Sequence, residues 1–573
     1  MTTDDNPTTD RLDPVAGQHR PWYEFYPPGV PKVIDPPTAR SIPEAASVAA
    51  RTFGSRTAFS NFGATLSFAE VERLSTQFAA FLQGDLGLKP GDRIVLQMPN
   101  ILQYPVALYG ALRAGLIVVN ANPLYTATEM AEVFRDAEPV AIVVLANFAH
   151  KLAEILPRTT IRHTIVTQVA DLMPQPKRSI MNLAAKYLKK MVPAYSLPNE
   201  ITFRDALARG ANARFTAPDL TQDDVAFLQY TGGTTGGTKA AILTHGNMLA
   251  NQAQFIGQMR VALGEGPTVI TAALPLYHVF SLTVNCIGFY LFGGHNVLIT
   301  NPRDIPAFVK TLAKTQPNAL VVVSTLAGAL LASDDFPGDS LANLKITVAG
   351  GMALRSSVAQ EWKATTGQDI IEGYGLTEAS PVVTVNPVHL PPRMGTIGVP
   401  LPSTDVKVVD DHGNVVAAGE PGELAVKGPQ VMRGYWNQDE ETANVITPDG
   451  WLLTGDVATI DADGYVSIVD RLKEIILVSG FNVYPGELED AAMQHPKVSE
   501  AGAIAVEDEK AGEVPKLFVV RKDDSLTVEE LQAFLRERLA GYKRPRYIAF
   551  RDELPKTNVG KVLRRALKEQ DAS

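Results

Sequence analysis

Short apolar runs alternate with stretches of helical spacing through the first two thirds of the chain. The apolar runs lie at 92–98, 116–119, 140–145, 164–166, 269–274, 296–299 and 320–323. Residues 102–114 repeat apolar side chains with the period of a helix. Continuous apolar strands separated by helices are typical of parallel sheets covered on both faces. The pattern therefore predicts an α/β fold, with two stacked αβα sheet lobes between about residues 40 and 395.

The pattern changes after about residue 395. Short strands at 406–409, 422–427 and 465–468 are separated by turn residues such as those at 411–413 and 463–464. This predicts a small antiparallel or barrel-like subdomain over 395–470. The remaining residues mix α and β patterns, as a separate α+β domain would. We therefore expect an N-terminal tail (1–35), a large N-terminal domain (36–470) and a mobile C-terminal domain (471–573).

Length and charge narrow the function classes. The 573 residues exceed what one core supports, which is roughly 250–300 residues. The net charge of −10 argues against a general nucleic-acid binder. Cys286 is the single cysteine, so no disulfide can form within the chain, and its apolar surroundings predict a buried thiol. The polar start lacks the pattern of a signal peptide, and no apolar run is long enough to span a bilayer, so we expect a cytoplasmic protein.

One basic amphipathic stretch, 176–193, stands apart. Apolar side chains recur at helical spacing, and five lysine or arginine residues occupy the rest. Such a helix can lie on the anionic inner surface of a membrane as a peripheral contact. It can equally pack on the protein and leave its lysines in water, which is the interpretation we favour from sequence alone.

The strongest chemical signal is a loop rich in glycine, threonine and lysine that follows the apolar run 225–228. Glycine lets backbone N–H groups approach phosphate oxygens closely, threonine hydroxyls add donors, and lysine adds a positive charge. A Walker A loop would need glycine directly before the lysine, and Thr238 stands there instead. The candidate phosphate ligands are Thr231, Gly232, Gly233, Thr234, Thr235, Gly236 and Lys239.

Here the sequence resembles the adenylate-forming enzymes, which include acyl-CoA synthetases, nonribosomal adenylation domains and beetle luciferases. Besides the loop, five segments match that family in order, at 350–352, 372–378, 451–456, 470–474 and 555–561. The likeness is greatest to bacterial long-chain fatty-acyl-CoA synthetases, through segments at 97–100, 122–125, 274–280, 478–485 and 552–556. The resemblance implies a ligase that uses ATP, Mg²⁺, a fatty acid and coenzyme A.

The resemblance also implies roles for individual residues. Thr231, Thr234 and Lys239 would hold the phosphates, and Glu378 with Thr234 would bind Mg²⁺. Tyr374 would stack on adenine, Thr377 would contact the α-phosphate, and Asp456 with Arg471 would bind the ribose. The same nucleotide site would include Gly350, Gly351, Glu372, Gly373, Gly375 and Ile468. Catalysis would depend on Lys561, Thr234 and Glu378.

Two further sets of residues follow from the resemblance. Lys473 would be the hinge about which the C-terminal domain rotates, withdrawing Lys561 so that coenzyme A can enter. His278, Val322, Ser324 and Ala327 would border the acyl pocket. Val322, Ser324 and Ala327 depart from the family pattern, which predicts an altered chain-length or branching preference. Thr238, Ala240 and Gly246 are also departures, and Ala240 replaces a glycine in a loop that can need positive φ.

Several alternatives stay open at this stage. The chain could be an acyl-AMP ligase that loads a carrier protein, or an aryl-CoA ligase. A luciferase-like oxidation is more remote. A catalytically silent acyl- or nucleotide-binding protein at a membrane is the alternative of another class. The oligomeric state, including a homodimer, is left open by the sequence.

Overall fold

The computed structural model describes residues 19–231, 238–336, 338, 341–479, 481–508, 511–557 and 562–571. The expected disorder of the first residues, the loop residues 232–237 and Lys561 lie outside the described residues.

The strands alternate with helices as the apolar runs predict. The strands are β1 (Thr57–Asn61), β2 (Ala64–Ser67), β3 (Arg93–Gln97), β4 (Ile117–Asn120), β5 (Ala141–Leu145), β6 (His163–Thr167), β7 (Ile201–Thr202), β8 (Val225–Thr231), β9 (Lys239–Thr244), β10 (Val269–Ala272), β11 (His295–Leu298), β12 (Ala319–Val322), β13 (Ile346–Ala349), β14 (Ile370–Gly375), β15 (Val382–Val385), β16 (Val399–Pro400), β17 (Asp405–Val409), β18 (Gly422–Lys427), β19 (Leu452–Ile460), β20 (Val466–Arg471), β21 (Ile476–Val478), β22 (Phe481–Val483), β23 (Val498–Asp508), β24 (Gly512–Arg521) and β25 (Tyr547–Arg551). The α-helices are α1 (Ile42–Phe53), α2 (Phe68–Gly84), α3 (Gln103–Arg113), α4 (Ala127–Ala137), α5 (Ala149–Ile155), α6 (Lys177–Leu183), α7 (Phe203–Gly210), α8 (His245–Leu263), α9 (Val279–Ser281), α10 (Ile305–Thr315), α11 (Ser324–Leu331), α12 (Ser356–Thr366), α13 (Asp439–Val445), α14 (Pro485–Met493), α15 (Val528–Arg536) and α16 (Arg564–Asp571).

Two large, mostly parallel sheets form the bulk of the molecule. One has the order β7-β6-β5-β3-β4-β8-β9, and only its β8–β9 pair is antiparallel. The other has the order β16-β15-β14-β13-β12-β10-β11-β1-β2, with antiparallel strands at both edges. The inner strands β4, β5 and β12 are buried along their whole length, as strands of a sheet covered on both faces are. The predicted α/β lobes are confirmed.

Two smaller sheets follow along the chain. Strands β17-β18-β19-β20 form an antiparallel meander, as the sequence after residue 395 predicts. The last sheet has the order β22-β21-β24-β23, and β25 pairs in parallel with β24. Helices α14 and α15 pack on this last sheet around Leu488 and Leu531, so it has its own apolar core.

The segment before the first strand is packed, although the sequence assigned residues up to 35 to a tail. Arg20 forms an ion pair with the buried Asp405 of β17 at 2.5 Å. The Tyr26 hydroxyl donates to the Pro400 carbonyl at 2.7 Å, and Trp22 is buried against Tyr465. An ion pair and aromatic side chains therefore hold residues 20–26 on the meander and on β16.

Local capping explains where key helices begin. Thr244 ends β9 and caps α8, where its hydroxyl accepts from the Asn247 N–H and the Asn247 side chain accepts from the Thr244 N–H. The Asn247 amide also donates to the carbonyl of Val431, so the cap ties α8 to the loop before α13.

Cys286 is buried, as predicted. Among the described residues, no helix combines the length and apolar character needed to cross a bilayer.

Candidate active site

The β8–β9 hairpin places the lysine of the glycine-rich segment. Thr231 and Lys239 face each other across the two strands, and the Thr231 hydroxyl lies 3.4 Å from the Lys239 carbonyl. The Lys239 ammonium pairs with the carboxylate of Glu441 on α13 and lies 5.2 Å from the centre of the Tyr435 ring. Residues 232–237, which include Thr234, Thr235 and Gly236, lie outside the described part of the chain.

Ala240 causes no visible strain where a glycine was expected. It continues the regular antiparallel register of β9 opposite Tyr230, and its φ is not positive. Its carbonyl accepts from the Trp436 N–H at 2.9 Å. The strand is extended at this point, so a β-carbon is tolerated.

The second large sheet places the segments predicted to bind adenine at the carboxyl ends of its strands. Gly350 and Gly351 follow β13, and residues 372–375 end β14, its parallel neighbour. Gly351 has φ +81° with open space where a β-carbon would stand. A β-carbon on Gly375 would lie 2.2 Å from the Pro381 carbonyl oxygen, so only glycine fits there. Ligands of open α/β sheets bind at this carboxyl edge.

Tyr374, Asp456 and Arg471 come together although they are far apart in the sequence. The Tyr374 hydroxyl donates to one oxygen of Asp456 at 2.5 Å, and the Arg471 Nε lies 2.6 Å from the other. Asp456 and Arg471 face each other across β19 and β20. Burial, together with the Asp456 charge, raises the pKa of Tyr374, so its hydroxyl remains a donor. The contact joins the meander to the second large sheet.

Glu378 lies in the turn after β14. One of its carboxylate oxygens accepts from the Tyr435 hydroxyl at 2.8 Å, and its carbonyl accepts from the Met432 N–H. Burial, reinforced by Glu378, raises the pKa of Tyr435. Thr377 directly precedes Glu378 in the same turn. Tyr435 therefore connects the Glu378 carboxylate with the Lys239 ammonium.

The described residues contain no self-contained metal site, since no group of three or more His, Cys, Asp or Glu side chains is arranged to hold an ion. Mg²⁺ commonly binds through one or two carboxylates plus substrate phosphates. A single hard carboxylate at Glu378, near the cationic Lys239, fits that mode.

The candidate acyl-pocket residues follow the carboxyl ends of adjacent strands β10 and β12. Val322 ends β12 and packs with Ala327 of α11 in one buried cluster. The Ser324 hydroxyl accepts from the Arg355 N–H at 3.1 Å. His278 caps α9 through its Nδ1, and burial lowers the pKa of its imidazole, so the ring is neutral. The structure brings these residues to the same edge of the sheet as Gly351.

The expected hinge lies directly after β20. Lys473 belongs to the turn Leu472–Glu474. Arg564 of α16 contacts Asp470 at 2.9 Å and also pairs with Glu474 and with Glu489, the latter at 2.7 Å. One largely buried arginine therefore contacts residues on both sides of the expected hinge.

The model of the AMP-binding enzyme family matches residues 46–436, and that of the AMP-binding enzyme C-terminal domain matches residues 487–561. The chain belongs to the AMP-binding enzyme family. It is 49% identical to the long-chain-fatty-acid–CoA ligase of Escherichia coli O6:H1, over 96% of this chain and 98% of that one. A long-chain-fatty-acid–CoA ligase of Bacillus subtilis is 37% identical over the same shares.

Solved structures of this family share the fold. The anthranilate CoA ligase AuaEII in complex with anthranoyl-AMP has a TM-score of 0.82 at 26% identity, over 93% of this chain and 97% of that one. ATP-bound MatB from Rhodopseudomonas palustris has a TM-score of 0.76 at 28% identity, over 92% and 98%. These likenesses confirm the α/β fold with a large N-terminal part and a separate C-terminal domain.

Sequence reasoning missed several residues of this candidate site. Tyr435 and Glu441 were not singled out, although both lie near conspicuous glycine and tryptophan residues at 434–436. Arg564 was not singled out either. Their partners are more than fifty residues away, so local pattern gave no signal for the contacts.

Replacing Glu441 with glutamine is expected to lower the KM for ATP. The carboxylate pairs with Lys239, and phosphates that bind Lys239 would have to displace it. A partly exposed ion pair contributes at most about 1 kcal/mol, so the gain should not exceed roughly fivefold. Steady-state kinetics with varied ATP would measure it, with the neighbouring Glu440→Gln as a matched control. A higher KM in Glu441→Gln alone would contradict the competition and would indicate that this carboxylate assists nucleotide binding.

Glu372→Gln is expected to make the protein less sensitive to rising pH. Burial raises the pKa of Glu372 to about 7, against the opposing hydrogen bond from the Leu354 N–H. Between its ordinary pKa and that value the folded state keeps a proton that the unfolded state has lost, so stability falls as pH rises. The amide carries no such cost, and the benefit should reach roughly 1–3 kcal/mol above the folded pKa.

The measurement is the free energy of unfolding in urea on both sides of neutrality. Glu361→Gln, an exposed glutamate on α12, is the control. A difference in unfolding free energy between Glu372→Gln and the original protein that did not change with pH would contradict the prediction. It would show that Glu372 is ionised in the folded state over the whole pH range measured.

Proposed function

We propose that this protein is an AMP-forming fatty-acid–CoA ligase. The observation that carries the proposal is the Tyr374–Asp456–Arg471 contact, which forms a ribose-side acceptor beside the carboxyl edge of the second large sheet. It occurs in a chain that is 49% identical, over almost its whole length, to long-chain-fatty-acid–CoA ligases.

In the first step a fatty-acid carboxylate oxygen attacks the α-phosphorus of ATP. A bond to the α-phosphorus forms, the bond to the bridging oxygen of the β-phosphate breaks, and pyrophosphate leaves. Both reactants are anions, so the protein contributes mainly position and positive charge. Lys239 and the Thr231 hydroxyl would hold the phosphates, and Lys561 would approach the α-phosphate where charge develops. Mg²⁺ bound at Glu378 would neutralise charge on the phosphate oxygens.

The nucleoside would be held by the residues at the meeting of the sheet and the meander. Tyr374 would cover the adenine with its ring, and Gly351 and Gly373 would leave room for the base. Each carboxylate oxygen can accept more than one hydrogen bond, so Asp456 would accept from ribose hydroxyls as well as from Tyr374 and Arg471. Arg471 would hold that carboxylate in position.

In the second step the coenzyme A sulfur attacks the carbonyl carbon of the acyl-adenylate, and AMP leaves. We propose that the domain after about residue 470 rotates about Lys473 between the steps. A hinge needs only a few residues that absorb the backbone change. The Arg564 contacts with Asp470 and Glu474 flank this point, so rotation must either carry them along or break them.

Val322, Ser324 and Ala327 would border the acyl chain. The change at these positions from the family pattern supports an altered chain-length or branching preference. A fatty acid reaches such an enzyme from lipid, and we also propose that the protein makes peripheral contact with a membrane surface.

AMP release by the purified protein tests the proposal. The assay would contain ATP, Mg²⁺ and a panel of fatty acids of different length and branching, with aromatic acids included, each with and without coenzyme A. Release that requires both a fatty acid and coenzyme A supports the ligase. Adenylate formation to which coenzyme A adds nothing would overturn it in favour of an acyl-AMP ligase, and turnover of aromatic acids alone would assign another acid.

A further inference from the structure

An uncovered apolar surface surrounds α6 and the π-helical turn Ala184–Leu188 that continues it. Leu188 is 80% exposed and Tyr187 65%, which is unusual for such side chains at helical positions. The other exposed apolar members are Ile180, Leu183 and Met191. The sequence-based preference for a helix packed on the protein is therefore wrong for these side chains. We call residues 177–191 the docking segment.

The docking segment is attached to the protein by a different set of side chains. Met181 packs against the main core, and the Asn182 side chain accepts from the Ala170 N–H and donates to Asp171. The Lys177 ammonium donates to the carbonyl of Phe62, whose ring is itself 49% exposed. The docking segment is thus attached to the folded protein by one set of side chains, and its exposed apolar side chains do not pack on that protein.

The charge of the docking segment is the reverse of the charge of the whole chain. The chain carries a net −10, yet no acidic residue occurs between Asp171 and Glu200. Lys186, Lys189 and Lys190 are exposed among the apolar side chains. Lysines interleaved with leucine and tyrosine match an interface that is apolar inside and anionic at its surface.

A cavity of about 280 Å³ opens next to the docking segment. Arg73, Arg178 and Arg204 line it together with leucine side chains, Met173 and two acidic residues. In the described part of the chain, none of these three arginines forms an ion pair. Burial raises the pKa of Asp171 and the charge of Arg204 opposes that rise, whereas the hydrogen bonds of both acidic residues come from groups other than these arginines.

Glu70, one of the two acidic residues, caps α2 by accepting from Ser67. Asp171, the other, accepts from Thr167, Asn182 and the Gln168 N–H. Arginine guanidinium groups favour phosphate oxygens through paired hydrogen bonds. The cavity therefore offers guanidinium donors, beside apolar walls, to an anionic group with an attached hydrocarbon part.

We infer that the docking segment binds the surface of an anionic phospholipid bilayer, and that the adjacent arginine cavity receives a lipid phosphate. Ile180, Leu183 and Leu188 enter the acyl boundary, while the lysines contact the headgroups. A helix-binding groove on another protein would fit the apolar side chains but gives no role to the arginine cavity. This inference names the site of the membrane contact proposed above, and binding can be measured without turnover.

Vesicle flotation of the full-length protein tests the surface. Vesicles of phosphatidylcholine alone would be compared with vesicles that also contain phosphatidylglycerol. We expect binding only to the anionic vesicles, and a loss of at least about a hundredfold for Leu183→Asp/Leu188→Asp. Lys186→Glu/Lys189→Glu should lose at least about 25-fold, at roughly fivefold per lysine.

Matched controls distinguish the docking segment from general surface effects. Val415→Asp replaces an apolar side chain that is 66% exposed on the meander, and Lys89→Glu/Lys310→Glu changes two exposed lysines elsewhere. Both controls should bind anionic vesicles as the original protein does. Equal losses in the controls, or unchanged binding of Leu183→Asp/Leu188→Asp, would overturn the docking surface.

Arg178→Gln/Arg204→Gln tests the cavity. We expect this variant to lose most of its preference for phosphatidylglycerol over an anionic detergent without phosphate, while the Leu183→Asp/Leu188→Asp variant loses binding to both. Unchanged phosphate preference would remove the cavity from the proposal. Dimerisation of the lipid-free protein in light scattering, abolished by Leu183→Asp/Leu188→Asp, would assign the surface to a second copy of the chain instead. Each variant should retain turnover of a short, water-soluble fatty acid if the ligase proposal holds, so failure of either idea is recognised separately.

Discussion

Replacing Lys561 with alanine is expected to slow formation of the acyl-adenylate by about 10²–10³-fold, the usual cost of removing one group that stabilises transition-state charge. In the proposed reaction two anions meet, and negative charge grows on the α-phosphate. Lys239 lies on β9 beside Tyr435, where in the proposed site it would hold the phosphates. A second cation is therefore required on the side from which the carboxylate attacks.

The same variant should transfer the acyl group from a preformed adenylate to coenzyme A within roughly threefold of the original rate, because the proposed rotation withdraws Lys561 before that step. Pyrophosphate exchange measures the first half-reaction, and thioester formation from synthetic acyl-adenylate measures the second. Lys568→Ala, at an exposed position on α16, is the matched control and should change neither rate. Equal losses in both half-reactions would contradict the proposal that Lys561 acts only in adenylate formation, and would indicate a structural role for it.

The elements of the fold follow closely from the apolar pattern. The run at 140–145 becomes β5 and the run at 296–299 becomes β11, each within a few residues. Such elements are predictable because a buried parallel strand must be apolar along its length and a surface helix must repeat every 3.6 residues. The order of strands in each sheet was not predicted, since it depends on contacts between distant segments.

In the candidate site, too, the sequence predicted individual residues but not the contacts between distant ones. Tyr374 and Asp456 were each identified from their segments, but their direct hydrogen bond joins residues 82 positions apart. The pairing of Lys239 with Glu441 was missed because α13 carries several acidic residues, and only the fold selects one of them. Side-chain exposure at Leu188 was also misjudged, because periodicity identifies an apolar face without showing what covers it.

Asp456→Ala is expected to lower kcat/KM for ATP by about 10–150-fold, the range for losing hydrogen bonds to a charged acceptor. The buried carboxylate is the proposed acceptor for the ribose hydroxyls. Its removal also leaves Arg471 without its 2.6 Å partner, so part of the loss would come from disorder of that side chain. Asp456→Asn keeps one acceptor oxygen of similar shape and should lose less, which separates loss of the hydrogen bonds from loss of packing.

The sharper readout is discrimination between ATP and 2′-deoxyATP. The original protein should prefer ATP, whereas Asp456→Ala should turn over both nucleotides with nearly equal kcat/KM, because the acceptor that senses the hydroxyl is gone. Tyr374→Phe is the matched control, since it removes a hydrogen-bond donor to the Asp456 carboxylate but keeps both the ring and the carboxylate. It should keep the preference for ATP. If Asp456→Ala retained that preference as well, the ribose would be recognised by another group, and the contact of Tyr374, Asp456 and Arg471 would serve only to hold the meander against the sheet.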